Sequence, residues 1–279
     1  MTAPGQVTQG RLVERRPSTK PPGTAMRGLG ATLRMDRWSL RPLAIALGLT
    51  AFVIYATISA VLLIPYFGFP YEAEGYVSPF YGIVIGEHVL PPWFSPAILI
   101  LWVQVGFRAT CYYARGAYYK AFFGDPPACA VGEAPIHRRY GMENRFPFVL
   151  MNLHRVFLYL AFIPLAFMFI DLWHAFWYEG SARLGVGILL LASDAIFTSL
   201  YVFSCHSFRH LVGGGLDCYS CSVYTSRRHS IWERVSAWNR RHGVWFWASL
   251  GSIVVADIYI RLLALDIINE STPIIGGFL

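Results

Sequence analysis

Long apolar stretches recur along the chain and are separated by shorter polar segments. The first stretch, residues 42–69, contains no charged residue, and four more follow at residues 93–113, 148–173, 184–208 and 244–265. A helix needs about 20 largely apolar residues to cross the hydrocarbon core of a bilayer. The pattern therefore predicts an all-α integral membrane bundle of five transmembrane helices.

The predicted spans and their connections assign residues 41–267 to one membrane-anchor domain. Residues 1–40 are rich in Pro, Gly, Thr and Arg, and we expect them to form a mobile, basic cytosolic tail. Residues 268–279 would form a short external tail. The chain of 279 residues is 55% hydrophobic and only 14% charged, which is not the composition of a soluble enzyme domain.

The distribution of basic residues predicts the orientation in the membrane. Lys and Arg gather in the amino-terminal tail and in the segments 115–145 and 227–241, whereas only Arg183 and Arg261 fall on the other side. Inner loops of membrane proteins carry such an excess. We therefore expect a multi-pass protein of the cytoplasmic membrane with a cytosolic amino terminus. The same loops explain the net charge of +7, so that no nucleic-acid partner is predicted.

All five cysteines would lie on the inner side, together with several histidines. Disulfides are unexpected in a reducing cytosol, which favours metal binding, although a buried cysteine can be a simple apolar residue. His206 and His210 are four residues apart, so their rings share one helical face and could bind one metal ion. Cys218 and Cys221 form a C-x-x-C that could bind a metal or have no role. Thiolates with imidazoles favour iron–sulfur or zinc, and histidines alone favour haem.

Three carboxylates fall inside the predicted spans. Asp194 lies near the middle of the fourth span, and Asp171 and Asp257 lie in the outer halves of the third and fifth. Such residues usually mark proton or substrate routes, although a neutral Asp that joins two helices is an equal alternative. Asp194 lies 11 residues before Cys205, or about 16 Å along a helix, which excludes it as a ligand beside that thiol. We predict that Asp194 belongs to a proton route.

Several short motifs resemble one known family: Thr110-Cys111-Tyr112-Tyr113, Pro127-Ala128-Cys129-Ala130-Val131, Asn152-Leu153-His154-Arg155 and Ser204-Cys205-His206-Ser207. The chain resembles the five-helix membrane-anchor subunit of actinobacterial, mycobacterial-type succinate dehydrogenase. The resemblance runs from about residue 40 to residue 265. The Cys218 to Cys221 segment is not part of it.

The resemblance implies a subunit that anchors a flavoprotein and an iron–sulfur subunit on the cytosolic side of the bilayer. It would pass electrons from succinate oxidation to a quinone, preferably menaquinone, and would hold neither flavin nor succinate. The family group is associated with a Rieske-type [2Fe-2S] centre, which needs two Cys and two His. The predicted ligands are Cys111, Cys129, His206 and His210, with Cys205 and His154 in reserve. Haem b is the alternative cofactor, with His154 and His206 as axial ligands.

Tyr113, Arg108 and Arg155 lie at the depth where a quinone carbonyl could be hydrogen-bonded, although such residues are also ordinary interface anchors. The rival function is a purely structural anchor or a small transporter without a redox centre. In that case the Cys and His residues are incidental, and the three aspartates line a substrate path.

Overall fold

The computed structural model describes residues 37–63, 68, 70–81, 91, 94–123, 144, 146 and 148–270. Most of the predicted amino-terminal tail, most of the predicted external tail and Cys129 lie outside the described residues.

Helices form most of the described chain. In order they are α1 (Leu40–Thr57), which continues into a π-helical turn (Ile58–Leu62), α2 (Ile98–Ala109), α3 (Tyr112–Phe123), a 3-10 turn (Phe148–Leu153), α4 (His154–Phe176), α5 (Val186–Phe203), α6 (His206–Gly213), α7 (Val223–Asn239) and α8 (His242–Ala264). Two short antiparallel hairpins complete the fold, β1 (Glu72–Ala73) with β2 (Tyr76–Val77) and β3 (Trp177–Tyr178) with β4 (Ser181–Ala182).

Four helical segments in the described residues are long and apolar enough to cross a membrane: Leu40–Leu62, Val149–Phe176, Val186–Phe203 and His242–Ala264. They correspond to four of the five predicted spans. The predicted span at 93–113 contains instead the shorter apolar helix α2, which ends at Ala109. At this helix end the Gly106 carbonyl accepts hydrogen bonds from both the backbone N–H of Thr110, at 3.0 Å, and the Thr110 hydroxyl, at 2.7 Å.

The predicted fourth span also ends earlier than its apolar pattern. Helix α5 stops at Phe203, because Cys205 has an extended backbone (φ −60°, ψ 143°) and caps a separate helix, α6. Helix α7 lies in a segment that was predicted to be a loop. It begins with a capping box, in which Ser222 and Thr225 satisfy each other's backbone N–H groups.

The helices pack so that α5 and α8 are neighbours, while α4 contacts both α2 and α5. The short β3–β4 connection joins α4 to α5 as an antiparallel pair, as predicted from its length. One core cluster gathers where α2 and α5 end and α4 and α8 begin, and it contains Phe107, Cys111, Leu158, Tyr201 and Cys205. The points where helices α2 and α5 end therefore lie inside the bundle.

A polar network joins α1, α8 and the first hairpin near the other end of α8. Asp257, which has no exposed surface, accepts hydrogen bonds from Tyr55 and Ser59, both at 2.5 Å, and from Ser78. It also pairs with Arg261, whose Nε donates at 3.1 Å. These contacts occupy both carboxylate oxygens, so the structure gives Asp257 a role in holding helices together.

Candidate functional site

Two cysteines lie at the two helix breaks inside the bundle. Cys111 follows the end of α2 and Cys205 follows the end of α5, and their exposed fractions are only 3% and 1%. The Sγ of Cys205 accepts a hydrogen bond from the Ser207 N–H at 3.2 Å. An apolar, buried environment favours the neutral form of both thiols unless a cation binds them.

A histidine stands opposite each cysteine at the first residue of a helix. His154 begins α4, and its Nε2 lies 3.0 Å from the Sγ of Cys205. His242 begins α8, and its Nε2 lies 3.4 Å from the Sγ of Cys111. All four side chains are buried. The site therefore consists of two Cys–His pairs that connect four different helices.

Each imidazole is also held at its second nitrogen by a hydroxyl. The Thr110 hydroxyl lies 3.1 Å from Nδ1 of His154, and the Ser204 hydroxyl lies 2.7 Å from Nδ1 of His242. In both cases the hydroxyl belongs to the residue before a site cysteine. A hydrogen bond at one ring nitrogen fixes the orientation of the ring and leaves the other nitrogen free to bind a metal.

An aromatic ring lies flat on each imidazole. Phe107 stacks on His154 with ring centroids 4.7 Å apart and an interplanar angle of 10°. Tyr201 stacks on His242 at 4.8 Å and 18°. Each aromatic residue precedes its neighbouring cysteine by four positions, so the helix ends share the pattern aromatic-x-x-hydroxyl-Cys. The two histidines likewise share the pattern His-x-Val-aromatic, and the site is approximately two-fold symmetric in sequence and in contacts.

A cavity of about 1030 Å³ adjoins the two Cys–His pairs, and all four site residues contribute to its wall. Tyr113 lines it and turns its ring edge toward His242, with centroids 6.3 Å apart. Gly243 makes room for that tyrosine, since a Cβ at this glycine would lie 2.5 Å from the Tyr113 ring. The cavity offers a space beside the site that a planar ring of substrate size could enter.

The predicted ligands are only partly brought together. Cys111 is in the site, whereas His206 and His210 are exposed on α6, where His206 lines the cavity. Cys129 lies outside the described residues, so the predicted set of four stays a prediction. The two reserves, Cys205 and His154, are in direct contact with each other.

His242 was missed as a ligand candidate. It follows Arg240 and Arg241, and a histidine beside arginines at a helix end is typical of a membrane-interface anchor. The signal that could have found it is the repeated His-x-Val-aromatic pattern that it shares with His154.

The structure also defines the contacts of Cys218 with Cys221, of Arg155 and of Asp194, and the roles predicted for Arg155 and Asp194 stay predictions. Cys218 and Cys221 form a disulfide, so the expectation that this side of the protein would contain none is wrong. Neither thiol is free to bind a metal in this state. Arg155 is exposed and donates to the Tyr159 hydroxyl at 3.2 Å. Asp194 is fully buried and accepts a hydrogen bond from Ser252 at 2.7 Å.

The donor set of the site, two thiols and two imidazoles, matches by residue type the ligands of a Rieske-type [2Fe-2S] cluster. Within the described part of the chain, no three His, Cys, Asp or Glu side chains converge on one point as ligands of one metal ion. A [2Fe-2S] cluster divides its ligands between two iron atoms, and two thiolates with two imidazoles are the Rieske ligand set. The four residues supply that set from a buried, hydrogen-bonded position.

Comparison with known proteins identifies one matching family. The model of actinobacterial succinate dehydrogenase subunit SdhC matches residues 40–266. Among solved structures, the chain is similar to a chain of the Mycobacterium smegmatis Sdh1 complex in the apo form. The two share 37% sequence identity and a TM-score of 0.76, over 92% of this chain and 98% of that chain. No match is found among the curated proteins.

Proposed function

Because the chain belongs to the family of actinobacterial succinate dehydrogenase subunit SdhC, we propose that it anchors that complex in the membrane and passes electrons from an iron–sulfur subunit to a quinone. The chain is a subunit of a succinate dehydrogenase, and the site that oxidises succinate lies in other subunits. The complex would also contain a flavoprotein subunit, and menaquinone would be the preferred electron acceptor. The Cys–His site would lie on the cytosolic face of the membrane. Five membrane crossings would include α2.

The observation that carries the electron-transfer role is the pair of buried Cys–His contacts. Cys111, Cys205, His154 and His242 would hold a Rieske-type [2Fe-2S] cluster. Such a cluster, when bound, accepts and releases one electron at a time. Haem b stays the alternative cofactor, and its two predicted axial ligands differ in burial, since His154 is buried and His206 is exposed.

The neighbouring residues would hold the ligands in place and keep water away. The hydroxyls of Thr110 and Ser204 fix the two imidazoles through Nδ1. The flat rings of Phe107 and Tyr201 restrict rotation of the imidazoles, because each ring covers one face. A site that is already ordered requires little rearrangement when an electron arrives.

The large cavity is the proposed quinone site. Tyr113 stands edge-on to His242 and would donate its phenolic hydrogen to a quinone carbonyl. His206 lines the same cavity and is exposed, so it would transfer protons from the aqueous side to the reduced quinone. Reduction of a quinone needs two electrons and two protons. Arg155 stays a lesser candidate because its guanidinium is engaged with Tyr159.

The basic residues of α7 and its flanks would lie on the same face as the cavity. Arg209 donates to Ser236 at 2.8 Å, and Arg228 donates to the Val212 carbonyl at 2.8 Å, so α6 and α7 are firmly joined. Asn239 in turn donates to the carbonyl of Ser204 at 2.7 Å. A partner subunit that docks on α7 would therefore contact a helix that is hydrogen-bonded to Ser204, the residue before Cys205 at the end of α5.

The test is a set of single variants in the assembled complex. Cys205→Ser and His242→Ala should remove the iron that this chain binds and abolish quinone reduction, while succinate oxidation with a soluble artificial acceptor continues. His210→Ala and Cys218→Ser are the controls, because His210 is exposed and Cys218 is in the disulfide. Loss of the iron in His210→Ala but not in His242→Ala would restore the ligand set predicted from the sequence. Full quinone reduction in every variant would favour a purely structural anchor or a transporter.

A further inference from the structure

Three buried polar atoms lie between the middle of the bundle and the Cys–His pairs. Oδ2 of Asp194, Nε of Arg108 and the hydroxyl of Tyr201 have no hydrogen-bond partner among the described residues. Asp194 and Tyr201 belong to α5, and Arg108 belongs to α2. Buried polar groups are rarely left without partners, so a cluster of three is a functional signal.

These groups belong to one connected chain of contacts. Ser252 donates to Oδ1 of Asp194 at 2.7 Å, and Arg108 donates to the Ser249 hydroxyl, one turn earlier on α8, at 3.3 Å. The Arg108 guanidinium carbon lies 5.3 Å from the centroid of the Tyr201 ring. That ring in turn stacks on His242. The Tyr201 ring therefore lies close to both the Arg108 guanidinium and the imidazole of His242, a proposed ligand.

A second, small cavity adjoins Arg108 and Tyr201 but is not lined by Asp194. It has a volume of about 10 Å³, and its wall includes Arg108, Tyr201, Thr198 and Gln104. That is close to the space that one water molecule needs, and the four side chains offer it donors and acceptors. The large cavity is lined by neither Arg108 nor Tyr201. Arg108 is thus placed to act on the proposed centre through the Tyr201 side, outside the wall of the cavity proposed for the quinone.

We propose that Arg108 and Asp194 form a buried charge pair, connected through the hydrogen bonds of Ser249 and Ser252, that couples reduction of the proposed centre to uptake of one proton. The proposal rests on the proposed cluster site. Arg108 keeps its positive charge at every physiological pH and so favours the arrival of an electron. When Asp194 is ionised it cancels part of that field, and when it takes a proton the full charge of Arg108 acts on the centre.

The step balances with components already named. One electron arrives from the iron–sulfur subunit, and one proton from water converts the Asp194 carboxylate to a carboxylic acid. No bond other than the new O–H forms. Ser252 from α8 donates a hydrogen bond to Asp194, and Arg108 from α2 is the charged group whose field acts on that carboxyl group.

The size of the effect follows from the stacking distances. The guanidinium carbon is at most about 10 Å from the His242 ring, because the two centroid spacings of 5.3 and 4.8 Å are joined at Tyr201. A unit charge at about 10 Å with an effective dielectric constant of about 20 changes an electron-transfer equilibrium by about tenfold. For one electron, tenfold corresponds to about 59 mV.

The experiment is a redox titration of the membrane centre, followed by electron paramagnetic resonance, in the intact complex between pH 6 and pH 8. Arg108→Gln should lower the reduction potential by about 59 mV. Asp194→Asn should keep a high potential and lose the fall in potential with rising pH. The matched controls are Arg227→Gln, an exposed arginine on α7, and Asp171→Asn, a partly buried carboxyl on α4. Neither control should change the potential or its pH slope.

The outcomes separate the two proposals. Unchanged potentials in Arg108→Gln and an unchanged pH slope in Asp194→Asn, with normal iron content, would overturn the charge-pair proposal alone. A wild-type complex without any signal from this chain would overturn the cluster itself. If Arg108→Gln fails to assemble, Arg108→Lys keeps the charge, and a potential within a few mV of wild type in that variant supports the electrostatic role. A fall as large as that predicted for glutamine would contradict it.

Discussion

The hydroxyl of Ser204 provides the sharpest test of how the site is held together. It lies 2.7 Å from Nδ1 of His242, it is fully buried, and it belongs to the residue before Cys205. Ser204→Ala removes this contact and leaves the ring nitrogen buried without a partner. The hydrogen bond that the Asn239 side-chain amide donates to the Ser204 carbonyl is unaffected, because it does not involve the side chain of Ser204.

The expected magnitude follows from the lost hydrogen bond. A buried group left unpaired costs about 1–3 kcal/mol, and loss of such a partner of a ligating histidine typically weakens metal binding by about 10- to 100-fold. We therefore expect Ser204→Ala to release iron to a chelator at least tenfold faster than wild type, while the complex still assembles. Ser199→Ala is the control, since that hydroxyl, on the same helix, donates only to the Ala195 carbonyl of its own helix.

The assay is retention of the iron signal during exposure to a chelator, measured on the purified complex. Thr110→Val should show a loss of similar size, because Thr110 holds His154 in the same way. Equal retention in wild type, Ser204→Ala and Thr110→Val would refute the view that these hydroxyls support metal ligands. A loss in Ser199→Ala of the same size would show that the effect comes from general destabilisation of the helix.

Two further predictions concern the cavity and the stability of the bundle. Gly243→Ala places a Cβ against the ring of Tyr113, so the quinone KM should rise by about tenfold while succinate oxidation with a soluble acceptor is unchanged. Gly251→Ala is its control, because nothing lies within 4 Å of a Cβ there; an equal KM in both variants would contradict the role of Tyr113. Asp257→Ala leaves Arg261 buried without its carboxylate and should cost about 3–5 kcal/mol, seen as a lower melting temperature of the complex. An unchanged melting temperature would show that the network adds no stability.

The sequence predicted the helical membrane architecture well because hydropathy is a local property. Four stretches of apolar residues became four helices of sufficient length. Hydropathy could not predict the breaks at Thr110 and Ser204, because the apolar stretches at 93–113 and 184–208 continue past both residues. The breaks depend on side-chain contacts with residues far along the chain, such as the contact of Ser204 with His242.

The candidate site was harder to predict, because its ligands come from four separate helices. Spacing along one helix favoured His206 and His210, but both side chains are exposed on α6. The contacts that define the site join residues 51 and 131 positions apart, between His154 and Cys205 and between Cys111 and His242. In the sequence, only the repeated aromatic-x-x-hydroxyl-Cys and His-x-Val-aromatic patterns indicate that these residues are related.

We propose that this chain binds a redox-active iron centre, and an iron count combined with electron paramagnetic resonance of the purified, dithionite-reduced complex would detect it. We expect two iron atoms beyond those of the soluble subunits and a rhombic signal of low average g value, as expected for iron with mixed thiolate and imidazole ligands. Iron no greater than the soluble subunits hold, or a strong haem absorption in its place, would contradict it.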